Sequence, residues 1–238
     1  GGLSAVAKVA EILVPVMAFA YIGTALYVMI TNITQLPHVF YSIFSHAFTL
    51  DAAGGGLFGA VMMTGIKRGL FSNEAGQGSV PNAAATATAN HPVEQGLIQA
   101  FGVYLTTFII CTASAFIVLI IGDYTTTGLT GVALVQHNLA QELGPWAPYA
   151  MALFIVMFSF SSLVGNYYYG EINITHLTDK KIYLNLFRLG VVAMSYIGSV
   201  ASLELVWNAA DLFMALLVLT NVTAIVLLNK QAVAALAD

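Results

Sequence analysis

The residues best equipped for chemistry lie in one run, Lys67 to Asn82, KRGLFSNEAGQGSVPN. It carries two adjacent cations (Lys67, Arg68), an amide beside a carboxylate (Asn73, Glu74), a second amide (Gln77) between Gly76 and Gly78, a hydroxyl (Ser79) and Pro81. Glycines at alternate positions make Glu74–Ser79 poor helix. Pro81 suits the first turn of a helix, where its missing N–H costs nothing. The pattern predicts two half-helices, Leu57–Asn73 and Val80–Ala89, with an unwound joint between them and Ser72 or Ser79 placed to cap. Such a joint leaves carbonyls free at the end of the first half and amide N–H groups free at the start of the second. The carbonyls suit a cation or an ammonium group, and the amides suit a carboxylate. One joint therefore offers complementary ends to a zwitterion such as an amino acid. The expected contacts are Phe71, Asn73, Glu74, Ala75, Gly76, Gln77, Gly78 and Ser79.

A second constellation is Phe158-Ser159-Phe160-Ser161-Ser162. On a helix the carbonyl of one residue and the hydroxyls three and four residues on converge on one side, which Phe158, Ser161 and Ser162 fit. Hard oxygen ligands suit a small hard cation. The same hydroxyls also back-bond to their own helix, which is common. His38, His46, His91, His137 and His176 read as loop residues without shared ligand spacing, which argues against a transition-metal site. GQGS is not G-x-S-x-G, so a nucleophile elbow is absent. Gly54, Gly56 and Gly59 match G-x-G-x-x-G, but no strand precedes them, and no basic stripe points to nucleic acid. Close helix packing explains Gly55, Gly59, Gly65 and Gly69 better.

The elements that position these groups follow from composition. The chain is 59% hydrophobic and 8% charged, against about 25% charged in soluble domains. It cannot cover its own surface in water, so the expected surroundings are a lipid bilayer. A helical span needs about 20 mostly apolar residues. Five continuous candidates occur, at 12–30, 101–121, 149–169, 183–203 and 205–228. A sixth, 57–89, is broken by the joint. All six are read as one transmembrane domain over 1–238. Leu36 to Phe44 reads as a short interfacial amphipathic helix introduced by Pro37, or else as an ordinary loop. The chain starts at Gly1 without a signal peptide's charged start, so it reads as part of something longer.

Orientation follows from loop cations. Lys8, Lys180, Lys181 and Lys230 all fall on one side when six spans alternate, with Arg188 just inside its span. The loops 31–56 and 123–148 hold no Lys or Arg. The expected topology is therefore a cytoplasmic start and a cytoplasmic C-terminus. Lys67 and Arg68 fall on the outer half of the broken span and need a local reason. Each charge at a helix centre costs about 2.5–3.5 kcal/mol, so Lys67, Arg68 and Glu74 unpaired would together cost on the order of 8–10 kcal/mol. They are paired, solvated in a vestibule, or both. A structural ion pair that locks the broken helix and direct ligand contact are both open. Asp211, well inside the last span, needs a partner or a water path; an interhelical hydrogen bond and a transport role are both open.

GIKRGLFSNEAGQGS, followed by PNAAATATANHPVEQGL and ICTASAFIVLIIG, closely resembles the alanine or glycine:cation symporter family. A weaker resemblance runs through MFSFSSLVGNYYYGE to NAADLFMALL, so it covers most of the chain. The resemblance implies an all-α integral membrane protein of the amino acid–polyamine–organocation superfamily, with the leucine-transporter-type fold of two inverted five-helix repeats. The chain would hold the fifth core helix and the second repeat, with the broken helix as the sixth. The N-terminal repeat of the same protein would supply the other half of the site. By the same resemblance, Phe158, Ser161 and Ser162 lie on the eighth core helix as ligands of a co-transported sodium ion. The family usually has Thr at the position of Ser162, which keeps the oxygen, and Trp in place of Asn166. Thr106 stands where the family often has Asp.

The expected function is sodium-coupled symport of a small neutral amino acid, alanine or glycine, across a bacterial or archaeal plasma membrane, with no catalysis and no cofactor besides the transported ion. Proton coupling and an ion channel with the broken span as a re-entrant pore lining are the alternatives. A channel predicts a stereotyped filter sequence, and none is visible.

Overall fold

A bilayer holds no water to satisfy exposed backbone, and a helix satisfies every backbone group within its own segment. Secondary structure among the described residues is accordingly all helical. The structure, a computed structural model, describes residues 3–47, 56–122, 124 and 126–237. The helices are α1 (Leu3–Thr31), α2 (Leu36–Ala47), α3 (Gly56–Asn73), α4 (Val80–Ala84), α5 (Pro92–Leu105), a π-helical segment (Thr106–Cys111), α6 (Thr112–Ile121), α7 (Gly131–Leu143), α8 (Ala147–Leu177), α9 (Lys181–Val200) and α10 (Leu203–Ala237). Five helical runs are long and apolar enough to cross a membrane: Lys8–Thr31, Pro92–Ile121, Ala147–Leu177, Lys181–Val200 and Leu203–Ala237. Each overlaps one of the continuous stretches read from the sequence.

Several details differ from the sequence reading. The second half-helix, α4, stops at Ala84, not Ala89, and the chain is turn and coil up to His91. The third long run begins at Pro92, with Glu94 in its first turn. A proline and an acid at a helix start are favourable signals, and they outweigh the polar residues that hid this turn from a hydropathy reading. The region 123–148 is not merely a loop, because α7 occupies much of it. His38, His137 and His176 lie on helices rather than in loops. A Cβ at Gly65 or at Gly69 would meet nothing within 4 Å. Close packing among the described residues does not explain those two glycines, and Gly54 and Gly55 lie outside the described residues.

Contacts divide the chain into two compact units, Gly1–Gly65 with Leu105–Leu163, and Ile66–Tyr104 with Val164–Asp238. In the first unit, Tyr21, Ala25 and Val28 of α1 cluster with Val39 of α2, with Phe116, Ile117 and Ile120 of α6, with Leu139 of α7 and with Met151 of α8. Between helices in lipid this packing works through van der Waals contact and interhelical hydrogen bonds. The Tyr21 hydroxyl lies 2.8 Å from Ser114 Oγ. Ser114 spends its one hydrogen on the Ile110 carbonyl, 3.1 Å away, so Tyr21 is the donor. Its ring meets Phe154 and Phe158 edge-on, with centroids 6.2 and 5.8 Å away. The amphipathic segment forms a helix, and Phe40 of α2 packs 5.1 Å from Phe116. Asn138 is fully buried and donates to the Val118 carbonyl, 3.2 Å away.

In the second unit, α8 and α9 meet at Gly170, where an added Cβ would overlap the Phe187 ring. That ring stacks on Tyr167 at 5.8 Å. Arg188 closes the contact, donating from Nε to the Tyr167 hydroxyl (2.9 Å) and from Nη2 to Glu171 Oε1 (3.2 Å). Tyr167 and Glu171 of α8 thus join it to α9.

Candidate functional site

The break between α3 and α4 is a folded joint that uses its own side chains. Asn73 Oδ1 accepts the Ala75 N–H at 3.0 Å, the turn Asn makes with backbone two residues on. The Glu74 carbonyl accepts the Gln77 N–H at 3.2 Å. Glu74 itself sits at φ +54°, with Gly76 at +76° and Gly78 at +91°. A non-glycine residue there costs about 1–2 kcal/mol, so something must hold Glu74 in place. Ser79 Oγ does so by donating to Glu74 Oε2 at 2.6 Å. Ser79 therefore does not cap α4, which has no side-chain cap at that end.

Gln77 is 7% exposed and folds back on α3. Its Nε2 donates to the Leu70 carbonyl at 2.6 Å and reaches Met214 Sδ at 3.1 Å. It thereby satisfies one of the carbonyls that the end of α3 would leave unpaired. From α10, Asn221 Nδ2 donates to the Gly76 carbonyl at 3.0 Å. A Cβ on Gly78 would stand 2.9 Å from Asn221 Cβ, so Gly78 is required both by its φ and by this approach. On the α4 side, Asn82 Nδ2 donates to the carbonyls of Gly78 (3.0 Å) and Ser79 (3.1 Å). Two neutral hydrogen bonds then tie this end to α8: Asn173 Nδ2 to Asn82 Oδ1 and Tyr168 Oη to Thr86 Oγ1, both 2.8 Å.

The charges of the run have partners. Lys67 Nζ lies 3.4 Å from Asp211 Oδ2, and Arg68 Nη2 lies 3.1 Å from both oxygens of Asp211. The Arg68 guanidinium also stacks over Trp207, 3.9 Å from the ring centroid, and Phe71 meets that ring edge-on at 5.2 Å. The structure thus joins three sequence-stated candidates, Lys67, Arg68 and Asp211, into one cluster between α3 and α10. The partner of Asp211 stands more than a hundred residues away along the chain, which no local pattern reveals.

The second constellation lies on α8 within the first unit. Ser161 Oγ donates to the Phe158 carbonyl at 3.0 Å and lies 3.9 Å from Met17 Sδ. Two of the three expected oxygens are therefore adjacent and bonded to each other, and Ser162, which carries the third, is the next residue on the same turn. Thr106 opens the π-helical segment, whose last turn is followed by Thr112 Oγ1 donating five residues back to the Thr107 carbonyl at 3.3 Å. Sequence reasoning did not single out Asn221, Trp207, Asn82 or Asn173. Asn221 carried a usable signal, since a polar side chain within a long apolar helix needs a partner, the reasoning applied to Asp211.

The model of the sodium:alanine symporter family matches residues 1–238. The chain is 52% identical over its whole length to the probable sodium/glutamine symporter GlnT of Bacillus subtilis. It is 47% identical over 98% of its length to the amino-acid carrier protein AlsT of the same organism. It is 36% identical over 96% to the sodium/alanine symporter AgcS of Methanococcus maripaludis. The chain spans about half the length of each: 50%, 50% and 51%. With the broken helix, its glycine joint and the polar ties on α10 in place, the chain belongs to the sodium:alanine symporter family, a family of transporters and not of enzymes.

Proposed function

We propose that the protein is a secondary active transporter that carries a small neutral amino acid, of the alanine or glycine class, into the cell with sodium. The observation that carries this reading is the joint at 74–79, an unwound segment with three left-handed residues closed by Asn73, Gln77, Ser79 and Asn221. Unwound backbone at membrane depth is tolerated only against protein or a water-filled cavity. The joint spends the amides of Ala75 and Gln77 on its own turns, so Gly76, Gly78 and Ser79 are the backbone donors for a substrate carboxylate. With only five residues, α4 contributes little dipole, and the recognition is by individual amides. Carbonyls at the end of α3, around Phe71 and Asn73, face the ammonium group. Glu74, Ala75 and Gln77 shape the cradle, with Gln77 acting from behind.

Sodium, as co-substrate, is taken by the Phe158 carbonyl and the hydroxyls of Ser161 and Ser162, with further oxygens from the other repeat of the leucine-transporter-type fold. Ser161 has only to turn its hydroxyl away from the Phe158 carbonyl for both oxygens to face a cation. Sodium binding raises substrate affinity by linkage, and alternating access rocks one bundle against the other. The six spans are oriented with the C-terminus in the cytoplasm of a bacterial or archaeal cell. The 52% relative, named for glutamine, favours a second reading in which the pocket admits a longer neutral side chain.

The test is uptake of labelled alanine by the full-length protein in vesicles, with glycine and glutamine as competitors. Sodium-driven accumulation, competed by glycine, is the expected result. Competition by glutamine at lower concentration than glycine selects the longer substrate. Uptake unchanged when choline replaces sodium at fixed pH overturns sodium coupling in favour of protons.

A further inference from the structure

The cluster on α3 and α10 holds more positive than negative charge. Lys67 and Arg68 share one carboxylate, Asp211, which leaves a net charge of +1 among the three. Arg68 uses Nη2 on that carboxylate, while its Nη1 is buried and has no hydrogen-bond partner among the described residues. A buried guanidinium N–H without an acceptor is costly, and an excess cation within an apolar chain is costlier. Asp211 Oδ1 is also buried without a hydrogen bond, although it lies 3.1 Å from Arg68 Nη2, so it is the excess of positive charge, not a shortage of acceptor atoms, that calls for an added anion. Trp207 covers one face of the guanidinium, so the acceptor must approach edge-on, where the fork of N–H groups matches a carboxylate. Lys67 is the more open of the two cations, with 46% of its side chain exposed against 34% for Arg68. The approach is therefore from the Lys67 side.

We propose that Lys67 and Arg68 form a capture station that binds the carboxylate of the incoming amino acid before it reaches the joint. This rests on the transport reading above. Arg68 precedes Asn73 by five residues, so the station lies about 7.5 Å along the helix axis from the joint. That exceeds the reach of one zwitterion's own two charges, so the station and the joint are successive sites. The Phe71–Trp207 pair, one turn beyond Arg68, stands beside the step between them. Asp211 competes with the substrate for the same two cations and sets how tightly the station holds it.

Competition gives the test its sign. In the full-length protein in vesicles, with labelled alanine as probe, Lys67→Gln raises KM by at least about fivefold and leaves Vmax within about twofold. Asp211→Asn lowers KM, because it frees both cations. Raising ionic strength with choline chloride at constant sodium raises the wild-type KM and leaves that of Lys67→Gln flat. If the three groups serve only as a lock, or if an acid elsewhere in the whole protein holds Arg68, both substitutions damage transport in the same direction, and the proposal fails. Lys67→Gln leaves Arg68 on Asp211 and so preserves the fold even if Asp211→Asn does not. An unchanged KM in Lys67→Gln alone overturns the capture station. Absence of any alanine uptake by the wild type is a different outcome, which removes the transport reading beneath it.

Discussion

Gly78→Ala is the sharpest perturbation of the joint, because two independent terms act on one methyl group. Gly78 stands at φ +91°, where an alanine costs about 1–2 kcal/mol. The new Cβ would also lie 2.9 Å from Asn221 Cβ, so Asn221 must move. Moving it breaks the 3.0 Å bond to the Gly76 carbonyl, a further 0.5–1.5 kcal/mol or about that. Together these come to roughly 1.5–3.5 kcal/mol, or at most roughly a 12- to 300-fold loss in apparent affinity if the native joint is the binding form. Gly76→Ala is the matched control. It carries the same kind of backbone penalty at φ +76°, but its Cβ meets nothing within 4 Å, so roughly a 5- to 25-fold loss is expected. The assay is sodium-driven alanine uptake by the full-length protein at several alanine concentrations, with thermal unfolding in detergent as the companion measurement. Asn221→Ala in the Gly78→Ala background brings only partial relief, since it removes Cγ at 3.2 Å but retains Cβ at 2.9 Å. Wild-type affinity in Gly78→Ala, or equal losses in the two glycine variants, refutes this account of the joint.

Two further predictions follow from the same contacts. Gly170→Ala is expected to destabilise the protein by about 1–3 kcal/mol through overlap with Phe187, and Phe187→Leu in that background is expected to recover much of it. A double-mutant cycle on detergent unfolding without recovery removes the proposed contact between α8 and α9. Glu74→Gly relieves the positive φ but deletes the Ser79 hydrogen bond, so the two effects oppose and stability is expected to stay within about 1 kcal/mol of wild type. Loss of alanine affinity beside unchanged stability assigns Glu74 to the cradle, and unchanged affinity takes it out.

The long helices were legible because 20-residue apolar runs have one structural solution in a bilayer. The joint was legible because glycine and proline report backbone conformation locally. What remained hidden is pairing across distance. Nothing near Asp211 says that Lys67 and Arg68 face it, and nothing near Gly76 says that Asn221 does. The extent of α4 was also hidden, since AATATA is compatible with helix and the chain still leaves helix after Ala84. Helix α7 was missed because Gln136, His137 and Asn138 read as loop. In the structure Asn138 is buried, with its amide on the Val118 carbonyl. Among the site residues, Gln77 changed most in meaning. Its side chain is committed to Leu70 and Met214, so it acts on the shape of the joint from behind.

The two halves of the broken helix are fastened by materials of different stiffness. The first half, α3, is tied to α10 through charges, whose attraction falls only as the inverse of distance. Stretching the 3.1 Å Arg68–Asp211 contact by 2 Å would forfeit only about two-fifths of that attraction. The second half, α4 with the turn after it, is tied to α8 by two neutral hydrogen bonds of 2.8 Å, which vanish over the same distance. The anchorage of α3 is therefore compliant and that of α4 brittle. A load applied across the joint is borne elastically on one side and released abruptly on the other, at Asn82 and Thr86.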